Sequence, residues 1–461
     1  MPTGSSHRNN PPRPSALSIV KSPLYPALII LLLVALFGTG LSAPTPVPKW
    51  EMPPGWTDTP GGDGGKTIRV TTLAAQGPGS LGEALAAEGP RVIEFAVGGI
   101  IDLGGHSLRL TQPYLTIAGE TAPSPGITLT NGGVGVTTHD VIVRHLRIHP
   151  GAGKHAKGSG WEVDGLSTGK GAHDVIVDHC SLTWATDENL SASGPRFEGE
   201  TPDDWRKNTS HRVTFSHCII GEGLNASTHA KGPHSKGSLL HDNASDIAII
   251  GNLYISNSDR NPLFKGGVRA AAVNNVICNP GERVMQFGQV PSQWKEHEPQ
   301  RAALAMVGNV VRKGPSSAEE MAFFEVWPDY GPCDFFMDDN LFFDGAGKPL
   351  VVTAAGRDRT RLREGFSQGQ TGGSGFEYRL AAYAPTSEMR RVDRAPVWPP
   401  RLKAKPAGET QAWVLENVGA RPWERDATDR RLVAEAETGG GKIINFESEA
   451  PKSAAMPVKA P

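Results

Sequence analysis

Short runs of alternating apolar and polar residues recur through the middle of the chain. Each is followed by a small or polar residue and then a second short apolar run. HDVIVRHLRI from His139, HDVIVDHCSL from His173, HRVTFSHCII from His211 and SDIAIIGNLYI from Ser245 share the pattern. RAAAVNNVI from Arg269, ALAMVGNVV from Ala303 and DFFMDDNLFF from Asp334 continue it. Alignment stacks Cys180, Cys218, Asn252, Asn275, Asn309 and Asn340 in one column, at intervals of 38, 34, 23, 34 and 31 residues. A constant strand with variable spacing is the mark of a solenoid whose loops differ in length while its coil does not. A βαβ array would need an amphipathic helix in each interval, and no apolar stripe of period 3.6 is present there. The expected fold class is therefore all-β, a single-stranded right-handed parallel β-helix. The asparagine column fits it, because an amide at a bend can bond the amide of the next coil.

The flanks read differently. Residues 44–66 are rich in Pro and Gly and are expected to form a linker, with the β-helix domain spanning 67–345. Residues 346–461 are expected to be an extension packed on the β-helix. Within it, Arg357 to Gly408 reads as irregular loops, and the tail after about residue 448 as disordered. AWVLENVGA (Ala412–Ala420) and RDATDRRLVAEAETG (Arg425–Gly439) read as two short helices, the second capped by Asp426 and Gly439. They are expected to shield one end of the solenoid.

Composition narrows the picture. With 55 Gly, 38 Pro and 7% aromatics in 461 residues, the chain suits many short strands and tight turns. A formal charge of −2 supplies no global field for a polyanion, so nucleic acid is not an expected partner. Arg8, Arg13 and Lys21 precede the apolar run Ala27–Phe37, and small residues follow through Ala43. Residues 1–43 thus read as a secretory signal peptide or an uncleaved membrane anchor, and the protein as secreted or periplasmic. The four cysteines, Cys180, Cys218, Cys278 and Cys333, match no zinc spacing and are expected to be isolated buried thiols. A monomer is the default expectation.

Candidate chemistry is concentrated between Asp164 and Lys265. The carboxylates are Asp164, Asp187 and Glu188, and the cations are Lys231, Lys236, Arg260 and Lys265. If loops project on one side, acids from early coils face cations from later ones across a groove. Hard oxygen donors without a cysteine or paired-histidine pattern suit Ca²⁺. His229 and His234 lack a third soft ligand and read as polar loop residues, while His145, His179 and His217 belong to the coil repeat.

Residues 68–345 resemble the pectate lyase family of polysaccharide lyases. The resemblance is carried by VIVDHCSLTWATDEN, THAKGPHSKGSLL and the Arg-x-Pro motif Arg260-Asn261-Pro262-Leu263-Phe264-Lys265. YLTIAGETAPSPGITL (Tyr114–Leu129) is similar to the family's early coils, and VLENVGARPWERDATDRRLVAE to the tail of a bacterial branch. The resemblance implies that Asp164 and Asp187 bind calcium, with Glu188 beside them, and that Arg260 is the base. It further implies that Lys236 and Lys265, with Lys231 as a further candidate, hold carboxylates of polygalacturonate. The family often carries an acidic ligand four residues beyond Asp187, where this chain has Ser191. The implied reaction is β-elimination: removal of the C5 proton, α to the C6 carboxylate, and loss of the C4 oxygen to give a 4,5-unsaturated sugar. Two other readings stay open at this point, a polygalacturonase-like hydrolase on the same solenoid and a non-catalytic carbohydrate binder.

Overall fold

The computed structural model describes residues 47–327, 331–362, 376–382 and 388–451. The expected signal peptide or anchor, and the tail beyond residue 451, lie outside them. Among the described residues no helix is long and apolar enough to cross a membrane. The chain winds through three sheets of eleven, ten and ten strands, visiting them in the same order on each turn. One coil runs from His173–Asp178 in the first sheet, through Ser181–Thr183 in the second, to Glu188–Ala192 in the third. Neighbouring coils pair in parallel, as Val175 does with Val141 on one side and Val213 on the other. The result is a right-handed parallel β-helix, the hand that right-twisted strands impose on parallel connections.

Stacking aligns like with like. Val141, Val175, Val213, Ile247, Ala270, Leu304 and Phe335 occupy one inward column of the first sheet, all fully buried. Burial of ~1.5–3 kcal/mol per large aliphatic side chain accumulates only when the coils are stacked. Between the first and second sheets the chain turns on a single left-handed residue: His145 (φ 58°), His179 (50°), His217 (49°), Asn274 (53°) or Asp339 (45°), with Gly251 and Gly308 filling the same role. His, Asn and Asp tolerate that conformation better than branched residues do. The rings of His145, His179 and His217 stack with centroids 5.0 and 4.6 Å apart.

The next position carries the asparagine ladder. Asn252 Nδ2 donates to Asn275 Oδ1 (3.0 Å), Asn275 Nδ2 to Asn309 Oδ1 (2.9 Å) and Asn309 Nδ2 to Asn340 Oδ1 (3.0 Å). Each Oδ1 also takes the backbone N–H of the preceding asparagine, and Asn252 Oδ1 takes that of Cys218. All four cysteines are free and buried, as their spacing suggested.

Three flanking expectations need correction. The segment read as a linker is a strap: Thr57 and Thr59 are buried, and Trp50 Nε1 donates to Asp178 Oδ2 (2.8 Å). Its glycines permit the contact, since a Cβ at Gly62 would sit 1.7 Å from the Arg91 carbonyl oxygen. The coil repeat also outlasts residue 345. Strand Ala354–Leu362 pairs in parallel with Phe324–Val326 and in antiparallel with Phe376–Ala382, and Met389–Arg391 joins the first sheet. Helices Ala407–Asn417 and Ala427–Thr438, the latter capped by Asp426 and Gly439, lie on the flank of the solenoid, not its end. They cover an apolar outer face of the second sheet made by Ile219, Leu253, Ile255, Val276 and Val310, which had to be buried somewhere. A helix missed in the sequence, Leu81–Ala86, instead sends Leu81, Ala84 and Leu85 into the main core.

Replacing Asn275 by Ala leaves the Asn252 backbone N–H and Nδ2 buried with one acceptor fewer. We expect a loss of about 2–4 kcal/mol, read as a fall in the denaturant midpoint; an unchanged midpoint would mean the ladder adds nothing.

Candidate functional site

The third sheet brings the charged residues together. Glu188 is in register with Lys236, and Lys236 bridges to Asp259, so one row crosses successive coils from acids to cations. Asp164 lies two residues before strand Leu166–Thr168, whose Leu166 pairs with Leu190, placing Asp164 level with Glu188. Asp164, Asp187 and Glu188 offer carboxylate oxygens within 4.8 Å of one another, a set that could hold a metal ion.

None of the three carboxylates stands alone. The Glu188 N–H donates to Asp164 Oδ1 (3.1 Å), and Ser191 Oγ donates to Asp164 Oδ2 (2.8 Å). Burial, followed by repulsion from Asp187, pushes the Asp164 carboxyl up to about 7. Burial acts the same way on Asp187, but hydrogen bonding from His234 and the charges of His234, Arg260 and His229 outweigh it and hold Asp187 at about 2. The Glu188 carboxylate is in direct contact with the Arg260 guanidinium.

Arg260 sits at the turn into the third sheet with φ 60°, a left-handed conformation that costs a non-glycine residue of order 1 kcal/mol. The turn is held from below by a second amide chain, in which Asn189 Nδ2 donates to Asn257 Oδ1 (3.0 Å) and Asn257 Nδ2 to Asn261 Oδ1 (3.2 Å). Burial, with Arg283 adding to it, lowers the Arg260 guanidinium to about 10 against the pull of Asp187 and Asp164.

Asp259 is the hub of the cationic half. It accepts from Lys236 Nζ (2.9 Å), Arg283 Nη1 (2.8 Å), Gln286 Nε2 and the Arg260 N–H (2.8 Å). Burial disfavours its charge, but Arg283 and Lys236 prevail and hold the carboxyl far below the usual range. Lys265 occupies the far end of strand Leu263–Phe264, with Nζ 5.6 Å from the Trp327 ring centroid. Burial lowers it to about 8, with Asp242 opposing. Lys231 is exposed on the 225–235 loop, and its backbone N–H donates to His229 Nδ1 (3.1 Å).

Asp259, Arg283 and Gln286 were not singled out in the sequence. Asp259 adjoins Arg260 and could have been found from that; Arg283 and Gln286 stand one coil later and share no motif with it. The histidines read as loop residues are also drawn in. His234 Nε2 lies 2.8 Å from Asp187 Oδ1, and the rings of His229 and His234 stack at 3.7 Å. Burial, then His234, lowers His229 to about 4.

Asp259→Asn would leave Lys236 and Arg283 buried against a neutral partner. We expect a loss of about 3–5 kcal/mol at neutral pH. Because the folded carboxyl titrates below its unfolded value, that contribution is present above about pH 4 and fades as pH falls further. The gap in denaturant midpoint between wild type and variant should therefore narrow with acidification; a constant gap would contradict the ion cluster.

No family model matches the chain. A protein named probable pectate lyase C from Aspergillus terreus is 34% identical over 397 residues, 84% of this chain and 77% of that protein. Its namesakes from Emericella nidulans and Aspergillus flavus are each 34% identical over 222 residues, 48% of this chain and 45% of theirs. The chain thus spans about half the length of the first curated relatives it matches. A solved structure titled "Pectate lyase bound to hexasaccharide" aligns with a TM-score of 0.48 at 11% identity, over 80% of this chain and 97% of that one, too distant to add to the fold described above. The long match to the Aspergillus terreus protein, over the coils that carry the charged row, shows that the chain belongs to the pectate lyase family.

Proposed function

We propose that this protein is a calcium-assisted pectate lyase that cleaves polygalacturonate by β-elimination. The observation that carries the reading is the row itself: three converging carboxylates on two early coils, then Lys236, Arg260 and Arg283 on the next three, along one outer face. An acidic sugar could lie across that face with its carboxylates toward the cations.

Asp164, Asp187 and Glu188 are the residues that would hold Ca²⁺. Giving one oxygen each, three carboxylates supply fewer than the 6–8 oxygens calcium takes, leaving positions for substrate carboxylates and water. The donor set suits the ion, because repulsion between Asp164 and Asp187 is what a divalent cation relieves. When bound, the ion would supply electrostatic stabilisation of charge developing on the substrate's carboxylate. Ser191 gives Asp164 a hydrogen bond where another carboxylate would add a ligand, which favours weak calcium binding until substrate arrives.

Lys236 would meet the carboxylate beside the scissile bond, exchanging part of its contact with Asp259. Arg260, once parted from Glu188, would accept the C5 proton as a neutral guanidine. Its burial and the neighbouring Arg283 act in the needed direction, since a guanidinium otherwise keeps its proton (pKa above ~12). Lys265 would anchor a further sugar carboxylate and Lys231 could reach over the groove from its loop. Secretion and a monomeric state accompany this reading as proposals.

A hydrolase needs two carboxylates ~5–9.5 Å apart, one protonated. Asp164, pushed up to about 7, offers an acid, yet it stands against Asp187 and Glu188, and the carboxylate on the cationic side, Asp259, is taken up by Lys236, Arg283 and Gln286. Elimination is therefore the better account.

With polygalacturonate, ultraviolet absorbance of unsaturated product should rise in Ca²⁺, vanish in EGTA and be lost in Arg260→Ala. The rate should climb between about pH 7 and pH 10 as the guanidinium gives up its proton. Reducing ends without absorbance would indicate hydrolysis; neither signal would indicate a binding protein. Ser191→Asp should tighten calcium binding measured by calorimetry, and no change would place the ion elsewhere.

A further inference from the structure

Asp187 faces two ways. On one side it meets Asp164 and Glu188; on the other it meets two imidazoles from the HAKGPH loop. The sequence showed no third ligand for His229 and His234, but the fold supplies one. A ligand atom from each of Asp187, His229 and His234 lies within 4.8 Å of the others. His234 Nε2 is 2.8 Å and His229 Nε2 3.7 Å from Asp187 Oδ1. We infer that Asp187, His229 and His234 form a second metal site, for a borderline transition ion such as Zn²⁺, sharing Asp187 with the all-oxygen set.

Four features support it. His229 is 1% exposed, and its Nε2 has no hydrogen-bond partner among the described residues. A buried imidazole nitrogen left without a partner loses its solvation unless something occupies it. Secondly, Nε2 is the nitrogen turned to Asp187, while Nδ1 takes the Lys231 backbone N–H (3.1 Å) with Glu162 Oε1 3.3 Å away; a metal at Nε2 would move the ring proton to Nδ1, toward that carboxylate. Thirdly, two imidazoles and a carboxylate match zinc's three protein ligands plus one open position, and imidazole is a poor donor to Ca²⁺. Finally, the loop is braced. Gly158 and Gly160 donate to the carbonyls of Ser227 and Thr228 (both 2.9 Å), and the Asn225 and Ala226 N–H groups bond Ile444 O (2.8 Å) and Asn445 Oδ1 (3.0 Å).

The other Asp–His–His group, Asp178 with His179 and His217, is a contrast. Its carboxylate already accepts from Trp50, Ser216 and both histidines, so it is a closed structural knot. Asp187 belongs to both groups, so the two ions would compete for one carboxylate. Zn²⁺ would then displace Ca²⁺ and hold the protein in a state unable to complete the oxygen set.

Calorimetric titration of the full chain with Zn²⁺, in the absence of Ca²⁺, tests this without any substrate. One ion per chain should bind, the site should be lost in His234→Gln and in His229→Asn, and Glu162→Gln should weaken it about tenfold. Lys231→Ala, on the same loop, should leave it unchanged. Co²⁺ on the wild type gives a readout that does not depend on any variant folding: an intense visible spectrum of low-coordinate, nitrogen-ligated metal is expected. A weak spectrum of hydrated octahedral Co²⁺, or Zn²⁺ binding undiminished in folded His234→Gln, would overturn the site. Zinc binding with no polygalacturonate cleavage would leave the site standing and remove only the lyase reading.

Discussion

The parallel ladder between coils is the constraint on which everything else depends. Side chains alternate across a strand, so a slip of one residue between neighbouring coils would turn the core outward and the charged row inward. Two devices fix the register at the bends. A left-handed residue follows seven successive strands of the first sheet, from His139–Arg144 to Cys333–Asp338, and an inward asparagine comes next on four successive coils, each amide bonded to the next. A second amide chain, Asn189 to Asn257 to Asn261, fixes the turn beside Arg260. The order of charges along the third sheet is thus inherited from hydrogen-bonded bends.

That inheritance explains why so many like charges coexist. Arg260, Lys236 and Arg283 converge around Asp259, while Asp164, Asp187 and Glu188 converge one coil away. Each half would repel itself; the single Arg260–Glu188 contact and the Asp259 hub hold them. The arrangement resembles a charged clasp, and either a cation among the acids or an anion among the bases would open it. On the proposed reading, an acidic sugar with a divalent ion would bring both.

The sequence made the coils legible because their periodicity is a backbone property: the asparagine column and the histidines at the bends were both visible as aligned residues. The site was legible where it is local. Asp187 and Glu188 are adjacent, and Arg260 through Lys265 form one motif. What escaped was whatever depends on loop lengths. Arg283 reaches Asp259 from the next coil, and His234 reaches Asp187 across 47 residues of chain, two pairings no spacing rule predicts. The flanks misled for a related reason. Pro and Gly in residues 44–66 read as a linker, whereas the glycines allow a strap to touch the coil closely, as Gly62 does at Arg91. The second C-terminal helix was recognised by its caps, but the place of both helices on the second sheet follows from that sheet's apolar outer face, which single strands do not reveal.

The most direct test of the account is the mass of the fragments released from polygalacturonate in the presence of Ca²⁺. Elimination moves a proton to the protein and adds no water, so the new non-reducing fragments should be lighter by one water than the corresponding saturated oligosaccharides. Fragments at the full hydrolytic mass would show that water had attacked, and would contradict Arg260 as the base at this row.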